Sequence, residues 1–304
     1  MKIKNLLSVI FAVAISTLTF AQSNLLNSKT PDDIGKKSAA QLISDNDKPL
    51  PYGYVHDRDV LMGKTIWEFV DVDERINFPL YYPIDTNFVG KDRRSLFDVL
   101  VKNIKEGKIT EVYADDYFNT KKTFKDMESS FTYIDTIPTG IDEYNNFIDD
   151  YKSGAKILDP QYINKKELDA SYISGYRIKG YWYFDKRQGE LKYRLLALCP
   201  VTPEARDAGN ENADVIDLFW VYFPTVRDIL HESKAFNDKN SAMPITFDHL
   251  LNSRRFSGEI YKEENVYGDR EIQQYMKDNS QSQLLESERV KEKIRSFESD
   301  MWNY

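Results

Sequence analysis

The residues with chemical potential come in short patterns, and each pattern lacks a part. Gly63-Lys64-Thr65 has the ending of a phosphate-binding loop. That loop needs another glycine five positions earlier, where the backbone wraps the phosphates, and Arg58 stands there. Asp71-Val72-Asp73 opens like a calcium loop, but the third ligand position is Arg75, the turn glycine is Ile76 and the bidentate glutamate is Tyr82. His56, His231 and His249 lie too far apart for a helical or finger-type zinc pair. A Ser-His-carboxylate site assembled only by folding stays open, without a Gly-x-Ser-x-Gly elbow to support it. Ser153-Gly154-Ala155-Lys156 matches the Ser-x-x-Lys pattern of penicillin-recognising enzymes but lacks their later elements. Asp115-Asp116 and Asp149-Asp150 read as solvated surface rather than as acid–base partners. Cys199 is the single cysteine and sits in the apolar run Leu195–Cys199, which predicts a buried, inert thiol and excludes an internal disulfide. No catalytic residue, cofactor site or metal site is expected.

The elements that would position such groups follow an α+β pattern, a mixed or antiparallel sheet with packed helices. Residues 59–70 mix aromatic and β-branched types and predict a strand. In Arg75–Pro83 two prolines favour an extended edge segment. Leu96, Phe97, Leu100, Val101 and Ile104 share one helical face over 95–105, Gly107 is a natural stop, and 109–113 reads as the following strand. Residues 119–130 are polar, and 131–137 suits either a short strand or a loop. Residues 172–185 and 190–201 form the clearest hairpin, turned at Lys186-Arg187-Gln188-Gly189. Alternation puts Ile178, Gly180, Trp182 and Phe184 on an apolar face and Lys179, Tyr181, Tyr183 and Asp185 on a tyrosine-rich, wet one. Residues 215–223 predict a strand buried on both faces, ended by Pro224, with a helix from Thr225 to Glu232. A short helical piece at 247–251 and a last strand at 258–261 follow. Near the end, Val290, Ile294, Phe297 and Met301 recur at helical spacing, so that helix docks on its own domain or is offered to a partner.

The N-terminus has the build of a secretory signal peptide. Lys2 and Lys4 precede a mostly apolar run from Leu6 to Phe20, and Thr19-Phe20-Ala21 supplies small residues for a cut before Gln22. The run is shorter than the ~20 apolar residues of a membrane span. No cysteine follows the cut site, which excludes lipidation of a new N-terminal cysteine. The formal net charge is −8, and loss of the two leader lysines makes the mature chain more acidic still. Such a chain does not suit phosphate backbones or anionic lipid surfaces. The expected organisation is a signal peptide at 1–21, a flexible polar arm at 22–50, a globular core at 51–270 and a charged helical tail at 271–304. Tyr 20 and Phe 17 against Trp 4 suit amphipathic surfaces that bind other proteins.

Three aromatic blocks carry a resemblance. Trp67–Asn77 with Pro79-Leu80-Tyr81-Tyr82-Pro83, Gly180–Asp185, and Leu218–Pro224 are similar to blocks of the gliding-motility GldN and PorN family, in the same order and in a chain of similar length with a leader. The resemblance implies a non-enzymatic structural subunit of the type IX protein secretion and gliding machinery of Bacteroidota. It also implies a periplasmic location at the inner face of the outer membrane. The implied partners are a GldK- or PorK-type outer-membrane lipoprotein, GldL- and GldM-type motor proteins, and further copies of the chain in a ring. Neither nucleic acid nor direct membrane insertion is expected. Tyr181, Tyr183 and Trp302 are the candidate partner-binding residues. The residues alone leave two other readings, an exported hydrolase with a triad assembled in the fold and a free periplasmic binding protein.

Overall fold

A computed structural model describes residues 48–87, 89–90, 93–154, 156–210, 213–236, 245–277 and 279–302, with Thr30 alone before them. The expected signal peptide lies outside the described residues, as does the expected arm apart from Thr30 and 48–50. The compact unit comprises 51–236 and 245–304.

Its frame is an antiparallel sheet. Strands β1 (Val60–Asp71), β4 (Gly175–Asp185), β5 (Glu190–Pro203), β6 (Val215–Asp217), β7 (Val221–Tyr222) and β10 (Glu259–Glu263) pair in the order β10-β1-β4-β5-β6, with β7 also on β5. The fold is thus α+β, as the patterning predicts. The hairpin β4–β5 turns with Gly189 at φ +66°, a backbone region that favours glycine. The register slips by one residue between Lys179 and Gly180. Gly180 is required there: a Cβ would lie 2.2 Å from the Tyr193 ring, which lies across it. Tyr181 covers Gly63 of β1 in the same way. Aromatic rings laid over strand glycines recover the packing those glycines lack.

Helices cover one face. α2 (Leu96–Lys105) starts where Ser95 Oγ accepts the Asp98 N–H at 3.1 Å and buries Leu96, Phe97, Leu100 and Ile104. With α6 (Phe223–Glu232) and α7 (Phe247–Asn252) it encloses a core built on Tyr176, Ile178, Leu195 and Leu198. The C-terminal helix α9 (Ser280–Trp302) docks on its own sheet. Val290 and Ile294 pack with Ile66 and Ile260, and Phe297 meets Phe184 edge-on. A third cluster, of Trp67, Ala197, Cys199 and Trp220, lies on the opposite face, because Trp67 follows Ile66 along β1. Cys199 is fully buried and apolar surroundings push its thiol pKa well up, so the inert-thiol expectation holds.

Three local expectations are corrected, and a helix is added where no element was predicted. Residues 75–81 are helical rather than extended, a 3-10 turn leading into α1 (Phe78–Tyr81), because Pro79 sits in a first turn where no backbone N–H is needed. Residues 109–113 form no strand; Tyr113 alone bridges to Trp220 and Lys121. The polar stretch holds α3 (Phe124–Phe131), started by a reciprocal Thr123–Asp126 capping box. Residues 215–223 do not run as one strand. They split into β6 and β7 around Leu218, Phe219 and Trp220, and Pro224 opens α6 instead of ending the strand.

A small module completes the unit. β2 (Thr132–Thr136) pairs with β3 (Ile163–Glu167) as a separate two-stranded sheet. Between them lie α4 (Pro138–Asn146) and α5 (Ile148–Lys152). β8 (Lys234–Ala235) and β9 (Ile245–Thr246) make a further short pair, and α8 (Ile272–Tyr275) precedes α9.

Candidate interaction surfaces

The alternation on β4 is real, but its second face is covered. Lys179, Tyr183 and Asp185 are 9%, 6% and 1% exposed, which corrects the expectation of a wet, tyrosine-rich face. The loop carrying Asp116, Tyr117 and Phe118 folds over one end. Lys179 Nζ donates to the Asp116 carbonyl at 2.8 Å and lies over the rings of Trp67 and Tyr117, 4.9 and 4.5 Å from their centroids. Lys262 Nζ sits over the same two rings at 4.2 and 4.6 Å and donates to Asp116 Oδ2 at 3.0 Å. Two ammonium groups thus share one aromatic face, each held by a ring quadrupole and an oxygen. Burial, and then the neighbouring Lys262 charge, lower the Lys179 pKa, with Asp116 opposing. Tyr117 donates to Asp269 at 2.9 Å and so ties this loop to the one after β10. This cluster fastens loops to the sheet.

At the hairpin end Tyr181 and Tyr183 stack, with centroids 6.0 Å apart and planes 21° apart. The Arg194 guanidinium lies over Tyr183 and Tyr52, and its NH2 group donates to the Gly53 carbonyl at 3.1 Å. Tyr181 is half-buried and Tyr183 buried within their own subunit. The side chain of Trp302 lies outside the described residues.

A surface that the patterning does not single out lies on the module. Ile134, Ile141, Phe147 and Ile148 are 60%, 49%, 44% and 36% exposed, and Ile157 is 88% exposed. Tyr144 stacks on Tyr151, and a shallow recess is lined by Thr136, Ile141, Tyr144 and Leu158. Lys156 pairs with Glu143 at 2.5 Å and lies 3.9 Å from the centre of the Phe147 ring, so its charge is met within the module. Exposed apolar groups gathered this way mark an interaction site more than a fold requirement. The sequence carries a signal here, since Ile141, Tyr144, Ile148 and Tyr151 recur at helical spacing across α4 and α5.

The partial chemical motifs take structural parts. Lys64 pairs with Glu263 at 3.0 Å. Ser153 donates to the Asp150 carbonyl while Lys156 turns to Glu143, so the Ser-x-x-Lys pair does not converge. Asp115, near solvent, accepts the N–H groups of Tyr117, Asn119 and Thr120, which hold its carboxyl below the usual range. His56 Nδ1 accepts the Arg58 N–H of its own turn, His249 is exposed on α7, and His231 lies in the last turn of α6. No metal-holding group of three His, Cys, Asp or Glu occurs among the described residues. No helix among them is long and apolar enough to cross a membrane.

Fold and surfaces define an α+β protein with a tightly closed sheet body and a small module whose apolar side chains face outward. The family model described as gliding motility associated protein GldN matches residues 55–303, and the chain belongs to that family. No curated protein matches it. All three aromatic blocks fall inside the matched span. Trp67, Leu80, Phe219 and Phe223 in them are at most 1% exposed and belong to the core, while Ile76, Tyr82 and Tyr222 of the same blocks are exposed.

Proposed function

We propose that this protein is a structural, non-enzymatic subunit of the type IX protein secretion and gliding machinery. In this reading it is exported and held in the periplasm at the inner face of the outer membrane by a GldK- or PorK-type lipoprotein. It assembles there as a ring that couples to GldL- and GldM-type motor proteins. The observation that carries the reading is membership of a gliding-motility family over 55–303. The outward apolar groups of the module support it, since an assembly subunit needs such area.

A clean deletion should abolish gliding and the secretion of type IX cargo, and both should return with the gene in trans. Normal gliding and secretion in the deletion strain would overturn the proposal. Co-purification of the mature chain with the lipoprotein tests the location, and failure to co-elute at any salt concentration would favour a freely diffusing periplasmic protein.

A further inference from the structure

The small sheet of the module has two edges of different character. β2 and β3 pair with each other and with no other strand among the described residues. The Ile137 N–H bonds the Tyr162 carbonyl and the Leu168 N–H bonds the Phe131 carbonyl, so by alternation Tyr133 and Asp135 between them face β3. The N–H and C=O groups of Ile134 and Thr136 therefore point away from β3, and among the described residues neither takes another main-chain partner. At Thr132 the N–H is used by the Glu128 carbonyl of α3. β3 carries exposed Lys165, Lys166 and Glu167, with Lys165 paired to Glu167, and a charged edge of this kind resists strand addition. β2 has one charge, Asp135, beside Tyr133 and three β-branched residues. α4 packs over a face of the pair and not along this edge. A Cβ on Gly140 would fall 2.6 Å from the Tyr162 side chain and 2.9 Å from that of Thr136, one on either chain of the pair.

We infer that β2 of one copy adds antiparallel to β2 of a second copy, joining two modules edge to edge about a twofold axis. The strand is complementary to itself. An axis through Ile134 sets Ile134 against Ile134, Thr132 against Thr136 and Tyr133 against Asp135, so no charge meets its like directly across. Because Ile134 turns its main-chain groups outward, the central pair exchanges both of its hydrogen bonds. The recess lined by Thr136, Ile141, Tyr144 and Leu158 opens beside this pairing. Ile134, 60% exposed in its own subunit, stands diagonal to Thr136 of the second copy and finds apolar cover there. The two Asp135 residues fall on opposite sides of the axis, roughly 8 Å apart at a strand spacing of about 4.8 Å and two residue steps. That is close to the Debye length of physiological salt, so salt should tighten the pair. Five residues a side fall short of the about 20–30 of a standard interface, so the contact is weak alone and counts where copies are held close. A twofold contact closes on itself and stops at two copies. It is separate from the machinery reading above, and failure of either leaves the other standing.

The test uses the mature full chain. Cys199 is its single native cysteine and is buried, so an introduced cysteine reacts alone. Under mild oxidation Ile134→Cys should form a disulfide-linked dimer at least about tenfold faster than Val266→Cys, because pairing raises the local thiol concentration. Val266 is 92% exposed and outside the module, so its variant reports chance collisions. Thr132→Cys mixed with a size-tagged Thr136→Cys should cross-link faster than either alone, since the register opposes only the unlike positions. Adding Ile134→Lys to both members of that mixture sets two ammonium groups directly across and should return the rate to the collision level. A wild-type arm needs no variant. Amide exchange at Ile134 and Thr136 should slow as protein concentration rises, while Tyr133 and Asp135, already bonded to β3, stay unchanged. Cross-linking of Ile134→Cys at the Val266→Cys rate would overturn the inference. So would self-linking of Thr132→Cys as fast as the mixture, or wild-type exchange at Ile134 independent of concentration.

Discussion

The sheet body and the β2–β3 module use similar residues to opposite ends. In the body, Trp67, Tyr117 and Phe118 meet Lys179 and Lys262 on a covered face, and the cations fasten a loop. In the module, Phe147 and Tyr151 meet Lys156 in the same cation–aromatic way, yet Phe147 stays 44% exposed and Ile134 60%. The body closes because six strands give two faces long enough to be covered by helices and loops. The module has two five-residue strands and two short helices, too little surface to turn all its apolar groups inward. The comparison teaches where stability and association are separable: substitutions in the body should cost folding, and those in the module should cost assembly.

The largest break should come at Arg254. Its guanidinium makes two 2.7 Å bonds to Glu68, which is 1% exposed, and lies against Tyr193 and Trp182. Arg254→Ala leaves that carboxylate buried and unpaired and should cost about 3–5 kcal/mol in urea unfolding. An unchanged midpoint would mean that the body tolerates open charge as the module does. Gly180→Ala forces a Cβ onto the Tyr193 ring and should cost about 1–3 kcal/mol, relieved when combined with Tyr193→Ala. Additive costs in that double variant would deny the ring-over-glycine contact. Ser95→Ala removes the cap of α2 and should cost about 1 kcal/mol in urea unfolding.

Acid sharpens the comparison within the body. Backbone N–H groups lower the pKa of Asp115 and, through Asn265, of Asp269 below the usual carboxylate range. A carboxylate lowered in the folded state adds stability above its unfolded pKa and loses it as pH falls through the folded one. Below about pH 4 the loop over Trp67 should therefore loosen, at a cost under about 1 kcal/mol because both groups are near solvent. Near-UV circular dichroism would follow it, and a signal flat down to pH 2 in the wild type would refute the clasp. The smallest effect on folding is expected in the module: Ile148→Ser should shift stability by less than about 0.5 kcal/mol. A large loss there would place Ile148 in a core and end the contrast.

Much of the frame was legible in residues 59–70, 95–105 and 172–201, because long segments with a single burial pattern declare their period. The stripe of Val290, Ile294 and Phe297 was legible too, while its docking on the chain's own sheet was not. Pro79 and Pro224 were misread because a proline marks equally the end of a strand and the first turn of a helix. Tyr183 and Asp185 were placed on the right face, but that face is wet only if nothing folds over it.

The sequence by itself determined the α+β class, the antiparallel hairpin, the buried thiol and the family, since each depends on local period or on blocks of aromatic residues. Only the tertiary structure decided which face was covered and which apolar residues were left outside. Exposure is set by what packs across from a residue, and those partners come from distant parts of the chain. Lys179 meets Asp116 and Lys262 in this way, and Ile134 meets no such cover in its own subunit's core.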